Sequence, residues 1–364
     1  MSTTTDVTIT ATTLEPGVHE APTGVPGAVR DRWARDDGSA LVTEYLAHES
    51  RTDRVLAGAR VRRRPHTASA VITGAFAVEG AAQERAVEGI VERIVEDARS
   101  LGEPLIKWET LAVDELDPAG HGFRHLAQPH HSGAGTEPHI LGWVRDLVEW
   151  PRAEHPYYRQ TTEFTCGGAA ALLALDAAGA SLLGPDRRAN RLAELDVWRT
   201  ATNMPACDPY ALATAVTRLA ARHGARTVEV YLDTEGPVLL EHLDDADEIA
   251  LRADLQELAA LDLDALGVER HRSRLPMIDL ARAVGDGAIA LLLIDLTSLI
   301  DDPTPHWVTA LSAHGELVLI DDPWVETSIG ESWVVTHELV VRAEELESIV
   351  TWGSGYRGVI LLKP

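Results

Sequence analysis

Apolar residues recur at two spacings along this chain, and the switch between them marks out its elements. In Ala81–Leu101, Val87, Ile90, Val91, Ile94, Val95 and Ala98 fall at steps of three and four, one face of a helix that Gly102 stops. Val55–Val61 and Ala68–Val78 before it, and Leu105–Glu109 after it, read as strands. Pro118–Pro138 is dense in Gly, Pro, Ser and His and predicts a long loop. Cys166–Ala178 is apolar almost without interruption and predicts a buried helix. Asp208–Gly224 predicts another, with Asp208 as N-cap and Pro209 at the first helical position. Thr227–Leu232 follows as a strand, Glu241–Leu266 as an acidic helix, Met277–Val284 as a short helix and Ala288–Asp295 as an apolar strand. His306–Ala313 and Glu316–Ile320 pair as a hairpin around the turn Ala313, His314, Gly315, Glu316.

Mixed helix and strand patterns place the chain in the α+β class. Residues 1–28 are rich in Thr, Pro and Gly without a period and are expected to be a flexible segment. A change of texture near residue 150 divides the rest into a smaller domain with its linker, 29–150, and a larger one, 151–364. With 364 residues, 45% of them hydrophobic, the chain is long enough for two cores.

Charge narrows the partners. The chain holds 57 Asp and Glu against 32 Lys and Arg, a net charge of −25. Such a surface repels phosphate backbones and anionic lipid, so neither nucleic acid nor membrane is expected as a partner. Arg60, Arg62, Arg63 and Arg64 form a short basic run without interleaved aromatics, read as a solvated strand or turn. The acidic stretch Glu235–Asp264 reads as a solvated helical face; beside a cleft it would favour cationic substrates. Met1–Thr13 has no apolar core of a signal peptide, and no run approaches a transmembrane length. The two cysteines, Cys166 and Cys207, make no disulfide scaffold, and a cytoplasmic setting that keeps thiols reduced is expected. His121, His125, His130, His131 and His139 lie in or beside the Gly/Pro-rich loop without the Glu of a helical zinc motif. They read as loop histidines, and no metal or cofactor is expected. No oligomeric state follows from the sequence.

The chemistry gathers in two places. In Gln160-Thr-Thr-Glu-Phe-Thr-Cys166-Gly167, a cysteine opens the apolar helix. A thiolate there faces the positive end of the helix dipole, which favours the nucleophilic form. Gly167 and Gly168 add no bulk beside the sulfur, leaving room for a carbonyl. Gln160, six residues upstream, can fold its amide back beside the Cys166 backbone N–H, giving an oxyanion hole worth about a hundredfold per donor. A thiolate needs a base, and the base an orienter. His306 starts the first strand of the hairpin and Asp322 follows the second, so the short turn brings them side by side. Asp321 adjoins Asp322, but successive strand residues face opposite ways, and two buried carboxylates would raise one another's pKa. Asp322 precedes Pro323 and is held extended at the strand end, so Asp322 is the expected orienter. Alone, Cys166 in an Ala/Leu-rich helix reads as a small core residue; with Gln160, His306 and Asp322 it reads as a nucleophile. Cys207, beside Asp208-Pro209 at a helix start, is expected to be packed.

These blocks resemble the C39-type peptidases, a papain-like group of bacterial cysteine peptidases, and more closely the soluble C39-like branch found beside or fused to an acetyltransferase-like domain. The resemblance rests on YYRQTTEFTCGGAAA (Tyr157–Ala171), VWRTAT (Val197–Thr202), CDPYA (Cys207–Ala211), VEVYL (Val228–Leu232) and Gly236-Pro237. It continues through HWVTALSA (His306–Ala313), LVLIDDPW (Leu317–Trp324) and GSGYRGVIL (Gly353–Leu361), covering roughly residues 150–364 in order. It implies a papain-like fold with Cys166 as nucleophile, Gln160 as oxyanion donor, His306 as base and Asp322 as orienter. The chain departs from the family with Gly168 where Pro is common, a shorter connection at Asn203–Ala206, Asp208 in place of a Gly, and Asp321 where Asn is frequent. The membrane exporters that process leaders at a double glycine belong to a different branch, and that specificity does not carry over. The first domain resembles a degraded acetyltransferase (GNAT-like) fold, because Glu79–Gly89, where the cofactor's pyrophosphate would sit, lacks closely spaced glycines and adds acids.

The expected activity is attack of the Cys166 thiolate on a peptide bond, or on the amide of a small molecule, through a thioester and with hydrolysis as the outcome. An acyltransferase using an amine acceptor on the same Cys-His-Asp site is the alternative. A non-catalytic binding module is a third reading.

Overall fold

The computed structural model describes residues 6–17, 19–22, 25–80, 82–111, 116–132, 140–202, 204–223 and 226–364. Its N-terminal sheet contains β1 (Val7–Leu14), β2 (Leu41–Glu49), β3 (Val55–Arg63), β4 (Ser69–Ala77), β5 (Leu105–Leu111), β6 (Arg124–His125) and β7 (Ile140–Asp146), in the order β1-β2-β3-β4-β5-β7-β6. Helix α1 (Gly27–Trp33) precedes β2, and α2 (Gln83–Ser100) is the crossover that makes β5 parallel to β4. The residues α2 buries are Ala86, Val87, Ile90, Val91, Ile94, Val95 and Ala98, the stripe its spacing predicts.

Two expectations for this half change. Val7–Leu14 lies inside the segment read as flexible, yet it pairs with β2 from Val7↔Glu49 to Leu14↔Val42. Its threonines are β-branched and suit an edge strand whose outer face is wet. The run Arg60–Arg64 is not solvated: Arg60, Arg62, Arg63 and Arg64 are all buried. Strand β3 lies between β2 and β4, and each guanidinium has a carboxylate partner: Asp37 for Arg60 and Arg62, Glu103 for Arg63, Asp322 and Glu331 for Arg64.

The C-terminal sheet contains β8 (Thr227–Leu232), β9 (Glu269–His271), β10 (Ile289–Asp295), β11 (Pro305–His314), β12 (Leu317–Asp321), β13 (Leu339–Arg342) and β14 (Gly358–Lys363), in the order β13-β12-β11-β10-β14-β8-β9. One face carries α3 (Cys166–Leu175), α4 (Arg187–Ala201) and α5 (Pro209–His223). The other carries α7 (Met277–Gly285) and α10 (Ala343–Ile349), while α6 (Ala246–Leu266), α8 (Thr297–Ile300) and α9 (Trp333–Thr336) complete the set among the described residues. Strand β10 is apolar from Ile289 to Ile294 because both its faces are covered. Ile289, Leu291 and Leu293 pack with α3–α5, and Ala290, Leu292 and Ile294 pack against α7 and α10. Every residue of α3 is buried, as expected for a helix that is apolar all round. By contrast α6 buries Ala259 and Leu263 and leaves most of its acids and leucines in solvent.

The two sheets meet through a shared apolar cluster. Val71, Leu105 and Val144 of the first pack with Leu319 and Val340 of the second and with Trp333 and Val334 of α9. Ala68 N–H donates to Val340 O (2.7 Å), Ser332 Oγ to Glu109 Oε2 (2.6 Å), and Lys107 Nζ to the carbonyls of Val335 (3.1 Å) and His337. Among the described residues, no helix is long and apolar enough to cross a membrane.

Candidate active site

Cys166 is the first residue of α3, and the hairpin of β11 and β12 packs against that helix: Thr309 Oγ1 donates to Ala170 O at 2.9 Å. The hairpin register pairs Thr309 with Asp321. Extended by one residue, it sets Asp322 opposite Val308, with His306 as the diagonal neighbour on the same face. There His306 Nε2 donates to Asp322 Oδ1 at 2.7 Å. Nδ1 is left free of the carboxylate, and Cys166 lies near enough to the imidazole to help raise its pKa. Cys166 is 5% exposed, His306 3% and Asp322 0%. Burial disfavours the imidazolium, but the Asp322 carboxylate and Cys166 more than offset it, and the His306 pKa is pushed up to about 10.

Asp322 is held on every side. Oδ1 also accepts Trp324 N–H (2.8 Å), Oδ2 accepts Arg64 Nη1 (2.6 Å), its carbonyl accepts the Tyr157 hydroxyl (2.7 Å) and its own N–H donates to Thr336 O (3.1 Å). Asp321 faces the other way, as strand alternation requires. It accepts His337 Nδ1 (2.9 Å), His155 Nε2 (3.1 Å) and Glu338 N–H (2.9 Å). The expected mutual rise in pKa of the two acids does not occur. Burial pushes each up, but His337 and His155 hold Asp321, and His306 and Arg64 hold Asp322, below the usual carboxylate range. Among the described residues, His155, Asp321 and His337 form one of two groups whose donor atoms could surround a metal ion; Glu229, Glu269 and His271 form the other. The carboxylate of the first is already engaged by its neighbours' N–H groups.

Gln160 is 1% exposed on the segment that feeds α3. Its backbone N–H donates to Pro323 O (3.0 Å), tying it to the residue after Asp322. Its Nε2 donates one hydrogen to Thr162 O (2.8 Å) and keeps a second, while Oε1 is buried without a hydrogen-bond partner among the described residues. The segment is anchored by Glu194 of α4, a helix the hydrophobic pattern does not reveal. Glu194 accepts Tyr158 OH (2.7 Å), Thr161 N–H (2.8 Å) and Thr165 Oγ1.

The two glycines after Cys166 are sites of close packing. A Cβ on Gly167 would sit 3.1 Å from Cys207 Cβ and Sγ, and one on Gly168 would sit 2.8 Å from the Glu194 carbonyl oxygen. Cys207 is packed as expected, 1% exposed, with its carbonyl accepting Trp307 Nε1 at 2.9 Å. Burial, with Cys166 and Asp208 nearby, pushes the Cys207 thiol up and away from reactivity. Asp208 caps α5 through the N–H groups of Tyr210 and Ala211, both at 3.0 Å. Of the loop histidines, His125 stacks on Trp143 and His130 lies 3.4 Å from Asp176; His139 lies outside the described residues.

Sequence reasoning missed Arg64, Glu194 and Tyr157. Tyr157 sits in a quoted motif block, but Arg64 and Glu194 act on residues far along the chain, and nothing local to them marks a partner.

A search of curated proteins finds none that match the chain. Several solved acetyltransferases are similar to part of it. One is a GNAT-family acetyltransferase from Staphylococcus aureus (TM-score 0.25, 11% identity, 29% of this chain and 68% of that one). Another is a Bacillus subtilis acetyltransferase in complex with CoA (TM-score 0.26, 15% identity, 39% of this chain and 100% of that one). Likeness at this level carries no argument about activity. Residues 155–363 match the model described as Peptidase_C39 like family. That span is more than half of the chain and contains Gln160, Cys166, His306 and Asp322, and the chain therefore belongs to the Peptidase_C39 like family.

Proposed function

We propose that the chain is a papain-like cysteine hydrolase that cleaves a peptide or amide bond through a thioester on Cys166. The observation that carries this reading is one imidazole bonded at 2.7 Å to a fully buried carboxylate, its pKa raised by that carboxylate and by Cys166, the thiol that opens α3. Membership of a peptidase-like family supports it.

In this mechanism the Cys166 sulfur, its proton already held on the His306 imidazolium, attacks the substrate carbonyl carbon as a thiolate. The C=O electron pair moves to oxygen, which the Cys166 N–H and the free Nε2 hydrogen of Gln160 receive. The C–N bond then breaks as His306 gives its proton to the leaving amine. Water attacks the thioester with His306 taking its proton, the C–S bond breaks, and the acid leaves with the thiol restored. Asp322 keeps the imidazole oriented and balances its charge without taking the proton.

The N-terminal sheet is read as a GNAT-like scaffold without acetyl transfer. At the start of α2, where a pyrophosphate would bind, Glu84 occupies the first turn, and the side chain before the helix makes no capping bond. Incubation with an activated ester followed by intact-mass analysis tests the proposal. A covalent acyl adduct that maps to Cys166, and that decays with release of acid, is the expected result. Turnover without any adduct in the Cys166→Ser chain at the native rate contradicts it.

A further inference from the structure

The orienting carboxylate is gripped from behind by the other half of the molecule. Arg64, one residue beyond β3 in the N-terminal sheet, is wholly buried. Its Nη1 donates to Asp322 Oδ2 at 2.6 Å, its Nε to Glu331 Oε1 at 2.6 Å, and its Nη2 to Glu331 Oε2. The turn that carries it is docked on β13, where Val340 N–H donates to Ser69 Oγ at 2.9 Å and Val340 O accepts Ala68 N–H at 2.7 Å. Arg64 thus approaches from a fixed backbone.

An interface ion pair alone needs no more than the forked Arg64–Glu331 contact, which already satisfies the guanidinium edge. The remaining nitrogen is spent on Asp322, and only on the oxygen that His306 does not use. Oδ1 holds the imidazole and Trp324 N–H, Oδ2 holds the arginine, and rotation of the carboxylate would break all three bonds. Charges alternate through the site in the order His306, Asp322, Arg64, Glu331, with Arg62 a further 3.5 Å from Glu331. We infer that Arg64 is a positioning residue of the thiol site, through which the N-terminal sheet fixes Asp322 against His306. This rests on the Cys-His-Asp reading given above. It assigns the N-terminal sheet a part in the chemistry that its fold does not announce: without it, the orienter has a partner on one oxygen only. Burial pushes the Asp322 carboxyl up, and the attraction of His306 and then Arg64 draws it down, so both cations keep it ionised.

The test uses the full chain and the anionic reagent iodoacetate, whose reaction with a thiolate is helped by a neighbouring imidazolium. Arg64→Met combined with Glu331→Leu removes the arginine without leaving the glutamate buried and unpaired. Arg64→Lys keeps the charge and loses the fork. Cooperative melting establishes folding, and the Cys166 alkylation rate is followed across pH. In the native chain the rate falls as His306 loses its proton at about 10. With Asp322 released, the double variant is expected to react roughly tenfold to a hundredfold more slowly. Its alkaline limb should move to lower pH, with Arg64→Lys in between. A folded double variant with the native rate and an unmoved or raised limb overturns the inference. If the double variant does not melt cooperatively, Arg64→Lys decides on the same two readouts. His306→Gln runs in the same series: a native rate there sinks the Cys-His-Asp reading itself, whereas a slow His306→Gln beside an unaffected Arg64 series sinks only the role of Arg64.

Discussion

Asp321 and Asp322 are neighbours with opposite duties, and the division follows from strand alternation. Asp322 serves one imidazole next to the thiol; Asp321 ties together His155 and His337 on the far face. Replacing each with Asn separates the duties. Asp322→Asn offers His306 an amide in place of a charge, and acylation by an activated ester is expected to slow by orders of magnitude. Asp321→Asn keeps the acylation rate near native but removes a buried charge-assisted contact to two imidazoles, which costs about 1.5–3 kcal/mol and appears as a lower melting temperature. The same acylation and melting measurements on both variants check this. A silent Asp322→Asn beside a crippled Asp321→Asn would reverse the assignment. The order of the two acids was legible from the residue before Pro323, but the partners of Asp321 were not, because His155 and His337 have no sequence relation to it.

At the scale of elements, the hydrophobic pattern reads best where one face of a helix or both faces of a strand are apolar. Helix α2, the wholly buried α3 and strand β10 all match their patterns. Helix α4 escapes because two of the positions it buries are Asn190 and Glu194, polar groups that are bonded inside the fold. The run Arg60–Arg64 misleads for a related reason: its arginines are paired with acids as far away as Glu331. A pattern rule prices them as solvated, since it cannot see a partner 267 residues on. The glycines of α3 were legible as a close approach, but not what approaches. Gly168 lets α4 lie against the start of α3, and Gly168→Ala drives a Cβ to 2.8 Å from a backbone oxygen that cannot swing away. The expected cost is about 1–3 kcal/mol, with a matching fall in melting temperature. Since Glu194 anchors the Gln160 segment from the same helix, acylation of Cys166 should slow as well. Calorimetry and an acylation rate on Gly168→Ala measure both, and a native melting temperature would show that α3 and α4 can part without loss.

Across the whole molecule, the site is assembled from segments that no short window contains: Arg64 beside the N-terminal sheet, the Gln160–Cys166 entry to α3, Glu194 on α4, His306 on β11, and the Asp322–Glu331 stretch after β12. The motif blocks contain Gln160, Cys166, His306 and Asp322; the contact of the first half with Asp322 is visible only in three dimensions. The central claim is that Cys166, and not Cys207, is an activated thiol paired with His306. The two cysteines are an internal comparison, since both are buried in one chain and Cys166 is the one that acts on the His306 imidazole, whereas burial pushes the Cys207 thiol up. The most direct measurement is the iodoacetate alkylation rate of each cysteine by peptide mass spectrometry, in the native and His306→Gln chains, across pH. Raising the His306 pKa keeps the imidazolium beside the sulfur from neutral pH up to about 10, so the native rate at Cys166 should far exceed that at Cys207 and fall beyond that point. In His306→Gln the advantage should vanish. Equal rates at the two cysteines in the native folded chain, or a Cys166 rate indifferent to the loss of His306, would contradict the account.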